Sequence, residues 1–422
     1  MNKKIISLFS GALGLDLGLE AAGLKIAVAV EKNKTAVKTI RLNRKEEIPI
    51  IDDAIETVSA ADILAKARLK KEEAFVLTGG PCCQSFSTAG SRASFGDADR
   101  GLLFRDFKRI VAATRPRFFV MENVKGMLSA AVRHRPLNQR EPEFAPLAKD
   151  ELYGSALRVI CDELAELNYY VIFAVVNCAD YGVPQKRQRV LFIGSRDGED
   201  IVIPAATHSV VGNGKNSWLT LKDALGKLRQ GTPRFIPFAK ERIRLLRLLK
   251  AGQNWRDLPS HLHENALGAA FVSWGGRSGF CRRLSWSHPA PTLTTDPNGR
   301  ATMLCHPTKL RPLSVREYAK LQQFPDNWKF AGTIRQKYTQ IGNAVPLGLG
   351  AAVGRMLLAV ARCTNKSGFP HDSKDRLGGV KCADANLEHR LNNRPKTKLN
   401  PLRMRKNKDP QAARRWLQRM AA

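Results

Sequence analysis

Three turns in this chain carry side chains capable of covalent or acid–base chemistry. The first is Gly79-Gly80-Pro81-Cys82-Cys83-Gln84-Ser85-Phe86-Ser87, which follows the apolar run Ala74-Phe75-Val76-Leu77. Two glycines and a proline force a sharp turn after what reads as a buried strand, so a thiol there is accessible. Backbone N–H groups in such a turn favour the thiolate, the nucleophilic form of cysteine. A buried, inert cysteine is the alternative on residue type alone. The second is Glu122, which ends the run Phe118-Phe119-Val120-Met121 and precedes Asn123-Val124. A carboxyl at an apolar strand end can keep its proton towards neutrality and donate it. The third is Gln185-Lys186-Arg187-Gln188-Arg189, which runs straight into Val190-Leu191-Phe192-Ile193-Gly194. Strand alternation puts Gln185, Arg187 and Arg189 on one face. A solvated edge is what this basic triplet would mean by itself.

These side chains need elements to position them, and the pattern alternates strand with helix. Ile5 to Phe9 reads as a strand, Ser10 to Gly14 as a small-residue turn, and Leu15 to Ala22 as a helix. Such a turn lets a ligand approach backbone N–H groups near a helix N-terminus. Ile26 to Val30 forms a second strand ending in Glu31, an acid about 20 residues beyond the glycines that suits a ribose with two hydroxyls. Pro49-Ile50-Ile51 leads to Asp52-Asp53, a third strand end whose carboxylates could meet an adenine amine. Each acid alone reads as a solvated loop residue. The three strand ends in this order fit an adenosine-type ligand. Ser85 to Gly101, rich in Ser, Gly and Asp, reads as a loop able to close over a substrate. A helix from Leu103 to Thr114, a helix from Ser155 to Leu167 and a strand from Tyr170 to Val176 complete an α/β pattern of the doubly wound kind.

The formal net charge of +31 over 422 residues suits a polyanion, with nucleic acid the leading candidate. The eight cysteines include no CxxC pair, so neither a zinc ribbon nor a disulfide framework is indicated and a reducing compartment fits best. No cluster suited to a metal is evident. Met1 to Leu15 imitates a secretory signal, but Asp16 and Glu20 interrupt it where cleavage would fall, and no longer apolar run suggests a membrane span.

Six motifs in one order identify a resemblance to the DNA (cytosine-5)-methyltransferases: Phe9-Ser10-Gly11-Ala12-Leu13-Gly14, Gly79 to Ser87, Glu122-Asn123-Val124, Gln185-x-Arg187-x-Arg189, Arg311-Pro312-Leu313-Ser314 with Glu317, and Gln340-Ile341-Gly342-Asn343-Ala344-Val345-Pro346. They span most of residues 5–363. The resemblance implies a mostly parallel sheet between helices, as in S-adenosylmethionine-dependent methylases, with a separate target-recognition region. It assigns catalysis to Cys83, Glu122, Arg187 and Arg189. It assigns S-adenosyl-L-methionine to Phe9, Gly11, Leu13, Gly14, Glu31, Asp53, Pro81, Asn343 and Ala344. Duplex DNA would be held by Gln84, Ser87, Arg277, Arg282 and Arg283. A monomer, a cytoplasmic and nucleoid-associated location, and a cognate restriction or phage-defence system are further expectations. Two positions depart from the family. Cys82 replaces the usual proline before the nucleophile, which leaves Cys82 as a minor alternative to Cys83, and Leu13 replaces a common glycine.

The implied division is a catalytic and cofactor domain over residues 1–195, completed by about 335–363, a recognition domain over 196–334, and a basic tail over 364–422. Between Arg196 and Thr302 regular alternation weakens, and Trp255, Trp274 and Trp286 interleave with basic clusters. Each Trp alone reads as a core residue. Ser314 and Glu317 make a capping box for a helix. Residues 364–422 hold 15 Lys+Arg against 5 Asp+Glu, net +10, with Phe369 and Trp416 the only Phe, Tyr or Trp. That composition predicts a flexible arm with almost nothing to pack, which either adds non-specific affinity for DNA or is simply a solvated tail. Methylation of RNA and an inactive DNA-binding protein are the competing readings. Intact Cys83, Glu122 and Arg189 oppose the second, and the insert at 196–302 favours DNA over RNA.

Overall fold

The computed structural model describes residues 3–45, 47–81, 102–136, 139–140, 144–228, 231–271, 277–367, 376–385 and 387–388. The strands are β1 (Lys4–Leu8), β2 (Lys25–Val30), β3 (Ile50–Ile51), β4 (Val76–Gly79), β5 (Phe118–Val124), β6 (Tyr170–Asn177), β7 (Gln185–Lys186), β8 (Gln188–Ser195), β9 (His208–Ser209), β10 (Asn216–Ser217), β11 (Ala290–Pro291) and β12 (Val380–Cys382). The helices are α1 (Gly14–Ala21), α2 (Lys34–Arg44), α3 (Ala60–Ala67), α4 (Leu102–Thr114), α5 (Ser155–Ala165), α6 (Leu221–Leu225), α7 (Lys240–Arg247), α8 (His263–Leu267), α9 (Val315–Leu321), α10 (Ile334–Asn343) and α11 (Leu347–Ser367).

Eight strands form one sheet in the order β12-β6-β8-β5-β4-β1-β2-β3. Every adjacent pair is parallel except those of β8, which runs against both β5 and β6. This is the doubly wound, mostly parallel sheet that the alternation implied. Its strands read as continuous apolar runs because both faces are covered. Along β5, Phe118 and Val120 enter the core on one face, while Phe119 and Met121 enter the core on the other. All four are fully buried, each contributing about 1.5–3 kcal/mol of transfer free energy.

One face is closed by α1 and α11, which meet backbone to backbone. A Cβ on Gly18 would stand 2.2 Å from the Leu347 carbonyl oxygen, and one on Gly350 would stand 2.4 Å from the Leu15 carbonyl oxygen. The glycines therefore set how closely these helices approach. The apolar stretch Ile334–Thr364 is long enough to cross a bilayer, yet it is mostly buried inside the protein, its α11 part against α1. A third apolar cluster, built from Phe238, Leu246, Trp255, Phe280 and Cys305, lies within the expected recognition region. Other residues of that region, including Leu221, Leu293 and Leu304, are buried in the main core instead.

Among the described residues after Cys363, two pieces depart from the expected flexible arm. Helix α11 runs on to Ser367, and β12 adds an eighth strand parallel to β6. Cys382 and Leu387 are 7% and 5% exposed against the sheet. Composition averaged over 59 positions hid this short apolar piece, Val380 to Leu387, among the basic residues.

Candidate active site

The strand directions explain how the candidate groups meet. The carboxyl ends of β1, β2, β4 and β5 share one edge of the sheet, where open α/β sheets bind ligands. Because β8 is antiparallel, its beginning lies at that same edge, with Arg189 opposite Val124. Arg189 Nε approaches Glu122 Oε1 at 2.5 Å, with the residues 8% and 9% exposed. Arg189 also donates through Nη1 to the Gln188 carbonyl at 2.8 Å. The Glu122 carboxylate lies against the turn that follows β4: a Cβ on Gly80 would come within 3.2 Å of Glu122 Oε2. Asn123 donates through Nδ2 to the Pro81 carbonyl at 3.4 Å. The glutamate and its neighbour thus brace the first residues of the cysteine turn. Cys82, Cys83, Gln84 and Ser87, with the loop to Gly101, lie outside the described residues. Cys178, near Arg187 and Arg189, is fully buried and its thiol is pushed up to about 12 by desolvation, so it is no rival nucleophile.

Arg187, expected beside the reacting base, is placed differently. It is 2% exposed, and its guanidinium donates to the Leu293 and Gly342 carbonyls, each at 2.9 Å. Gln185, also fully buried, accepts from Leu293 N–H at 2.9 Å and donates to Gln322 Oε1 at 2.9 Å. Gln322 then donates to the carbonyls of Ile341 at 2.6 Å and Ala344 at 3.0 Å. The first two members of the Gln-x-Arg-x-Arg triplet therefore tie the segment around Leu293 to the turn between α10 and α11. Only Arg189 faces Glu122. Gln322 escaped sequence reading because nothing in its local pattern marks a buried amide.

At the β1–α1 turn, Phe9, Gly11 and Leu13 have φ of 53°, 53° and 66°. Left-handed backbone costs roughly 1–2 kcal/mol at a non-glycine residue. Leu13 offsets this by complete burial, so its side chain lies in the core and away from the ligand approach. A Cβ on Gly11 would meet nothing within 4 Å, which leaves open space above the turn. Glu31 Oε2 accepts from Gly11 N–H and Oε1 from Asn33 N–H, both at 2.7 Å. The acid at the end of β2 is thus fixed beside the open turn, with lone pairs left for hydroxyl donors. These groups fit an adenosine ligand. Asp53 is exposed and accepts from Ala54 N–H at 2.7 Å. Gly14 packs against Val345 and Ala344, joining the turn to the final motif, and Asn343 is exposed at the end of α10.

Asp16 was legible only as an acid interrupting an apolar segment. It is 2% exposed, accepts from Thr78 Oγ1 at 3.0 Å, and its carboxyl is raised to about 6, chiefly by desolvation. It joins the β1–α1 turn to the end of β4.

The expected DNA contacts fare differently among the described residues. Arg283 donates to the Leu249 carbonyl at 2.7 Å and the Pro307 carbonyl at 2.8 Å. Arg282 donates to the Met303 carbonyl at 3.1 Å and is pushed down to about 10 by burial. Both guanidinium groups brace the small apolar cluster. Arg277 is half-buried and donates to the Phe271 carbonyl at 3.3 Å. The Arg311–Glu317 pair is also architectural: two hydrogen bonds at 2.7 and 2.8 Å join the residue before Pro312 to the capping box of α9.

The C-5 cytosine-specific DNA methylase family model matches residues 3–359. The chain is 36% identical over 364 residues to the type II methyltransferase M.Sau96I of Staphylococcus aureus, spanning 84% of this chain and 75% of that one. It is also 36% identical over 375 residues to the type II methyltransferase M.Eco47II of Escherichia coli, spanning 86% and 80%. Among solved structures, a DNA modification methyltransferase encoded within an E. coli prophage shares the fold with a TM-score of 0.58 at 22% identity, covering 85% of this chain and 99% of that one.

Proposed function

From the premise that the chain belongs to the C-5 cytosine-specific DNA methylases, we propose that it transfers a methyl group from S-adenosyl-L-methionine to C5 of cytosine in a particular duplex DNA sequence. The observation that carries this reading is the buried Glu122–Arg189 pair set against Gly80 and Pro81, directly before the cysteine turn.

Cytosine C5 is a poor nucleophile. Addition of the Cys83 thiolate to C6 breaks the C5–C6 double bond and makes C5 enamine-like. Glu122 holds or protonates N3, placing a proton where charge develops. Arg189 keeps the Glu122 carboxylate in position and offers its remaining guanidinium donors to the base O2 or a nearby phosphate. Bound S-adenosyl-L-methionine supplies an electrophilic methyl sulfonium, and the open turn at Gly11 with Glu31 would hold its adenosine end. After C5 gains the methyl group, loss of the C5 proton and departure of the thiolate restore the ring. The base must leave the stack to reach these groups, which costs a few kcal/mol. Arg187 is a positioning residue in this scheme. The type II relatives support a role in a restriction–modification system, and phage defence is the same kind of role.

Bisulfite sequencing of DNA from a host free of cytosine methylation, expressing this chain, tests the proposal. One protected sequence context, lost with Cys83→Ala, is expected. Unprotected DNA from a well-expressed wild type would leave an RNA target or a binding role.

A further inference from the structure

The strand segment that turns Gln185, Arg187 and Arg189 inward turns Lys186 and Gln188 outward. Those two, with Asn177, Trp218 and Thr292, line a cleft of about 430 Å³, within the usual range for small-ligand sites. Gln188 pairs with Asn177 in the sheet register, one step from Arg189 opposite Val176. The cleft therefore opens at the same sheet edge as the Glu122–Arg189 pair, one residue along β8 and on the other face of that strand.

Its chemistry is specific. Trp218 Nε1 donates to Asp180 Oδ1 at 2.9 Å, which fixes the indole and engages the nearby carboxylate. The Lys186 ammonium lies 5.0 Å from the Trp218 ring centroid. Thr292 Oγ1 donates to the Lys186 carbonyl at 3.0 Å, and Lys125 Nζ donates to Gln188 Oε1 at 3.0 Å. None of the five lining residues is acidic. Trp255 is 8% exposed and belongs to an apolar cluster, whereas Trp218 is only half-buried and faces this polar cleft. An aromatic face for a base, ammonium groups for a phosphate and amides for base edges are the elements of single-nucleotide recognition.

We propose that this cleft binds one nucleotide of the DNA strand beside the target cytosine, with its base stacked on Trp218 and its phosphate on Lys186. The inference rests on the DNA-directed function proposed above. Entry of the base displaces the Lys186 ammonium from the indole to the phosphate, while Lys125 adds charge at the rim. The cleft would thereby stabilise the distortion that a base leaving the stack imposes on its neighbour.

The test uses the full-length chain and a fluorescein-labelled duplex of random sequence. Trp218→Ala should weaken binding about tenfold or more, the effect of losing one stacked base, while Trp218→Phe stays close to wild type. Lys186→Met should lower the salt slope of log K by about 0.9, one phosphate contact. Equal affinity for wild type and Trp218→Ala, or an unchanged salt slope in Lys186→Met, overturns the proposal. Lys186→Met alters only an exposed side chain, so a folding defect in Trp218→Ala would not obscure the outcome. Methylation of unmethylated plasmid DNA by the same wild-type preparation is read separately: a protein that binds through Trp218 without methylating contradicts the enzymatic reading and leaves the cleft standing.

Discussion

Glu122 and Arg189 hold one another at 2.5 Å at the ligand-binding edge of the sheet. Replacing Glu122 with Gln keeps the shape but removes the negative charge that holds Arg189 and the acid–base group that serves N3. Single-turnover methylation should slow by roughly 10²–10⁴-fold, with S-adenosylmethionine affinity little changed. An unchanged single-turnover rate would remove Glu122 from the chemistry. Asp16 makes a different prediction. Its carboxyl is raised from 3.8 to about 6 by burial, so the folded state ionises it less readily than the unfolded state. Below pH 4 both states hold the proton and no stability is lost. As pH rises from about 4 to 6 a penalty of up to about 3 kcal/mol accumulates, from a shift of about two pKa units, and above 6 it stays constant. Asp16→Asn can still accept from Thr78 and avoids the ionisation. Thermal melts should therefore show the variant gaining on wild type from pH 4 to 7. A stability difference independent of pH would contradict the argument.

Most individual elements were legible because the sheet is covered on both faces and writes itself as short apolar runs. The expected strands at 5–9, 26–30, 118–121 and 190–194 fall within a few residues of those observed, and the capping box at Ser314 and Glu317 is present. Meetings between elements were not legible. The pattern of β8 gave no sign that it runs antiparallel, and that direction alone brings Arg189 to Glu122. Nor could alternation distinguish Arg189 from Arg187 two residues earlier, since side-chain reach depends on what packs opposite. The guanidinium of Arg187 binds two buried carbonyls, so Arg187→Ala should destabilise the fold by about 3 kcal/mol or more and Arg187→Lys should rescue little of it, because one ammonium cannot span both carbonyls. Chemical denaturation of both variants checks this. Gly18→Ala puts a methyl group where the Leu347 carbonyl lies. It should cost about 1–3 kcal/mol and weaken S-adenosylmethionine binding by shifting the turn at the head of α1.

Across the whole molecule, a net charge of +31 is laid over a methylase sheet, and the last residues carry a large share of it. Residues 389–422 hold 11 Lys+Arg and 1 Asp, net +10 by 11 − 1, while Val380–Cys382, upstream of them, pairs with β6 in the sheet. Truncation after Cys363 should therefore lower stability by removing the β12 edge. Truncation after Glu388 should leave stability unchanged, flatten the salt dependence of binding to non-cognate duplex and preserve the methylated sequence, since phosphate contacts position without reading bases. Identical salt slopes in full-length and shortened protein would mean that the arm does not touch DNA. The central claim is that a thiolate from the turn after β4 adds to C6 of cytosine while Glu122 and Arg189 hold the base. It is tested most directly with a duplex carrying 5-fluorocytosine at the methylated position, because fluorine at C5 blocks the proton loss that frees the enzyme. Incubation with S-adenosylmethionine and peptide mass mapping should place the trapped adduct on Cys83, present in Cys82→Ala and absent from Cys83→Ala. An adduct on Cys82, or continued methylation by Cys83→Ala, would contradict the account.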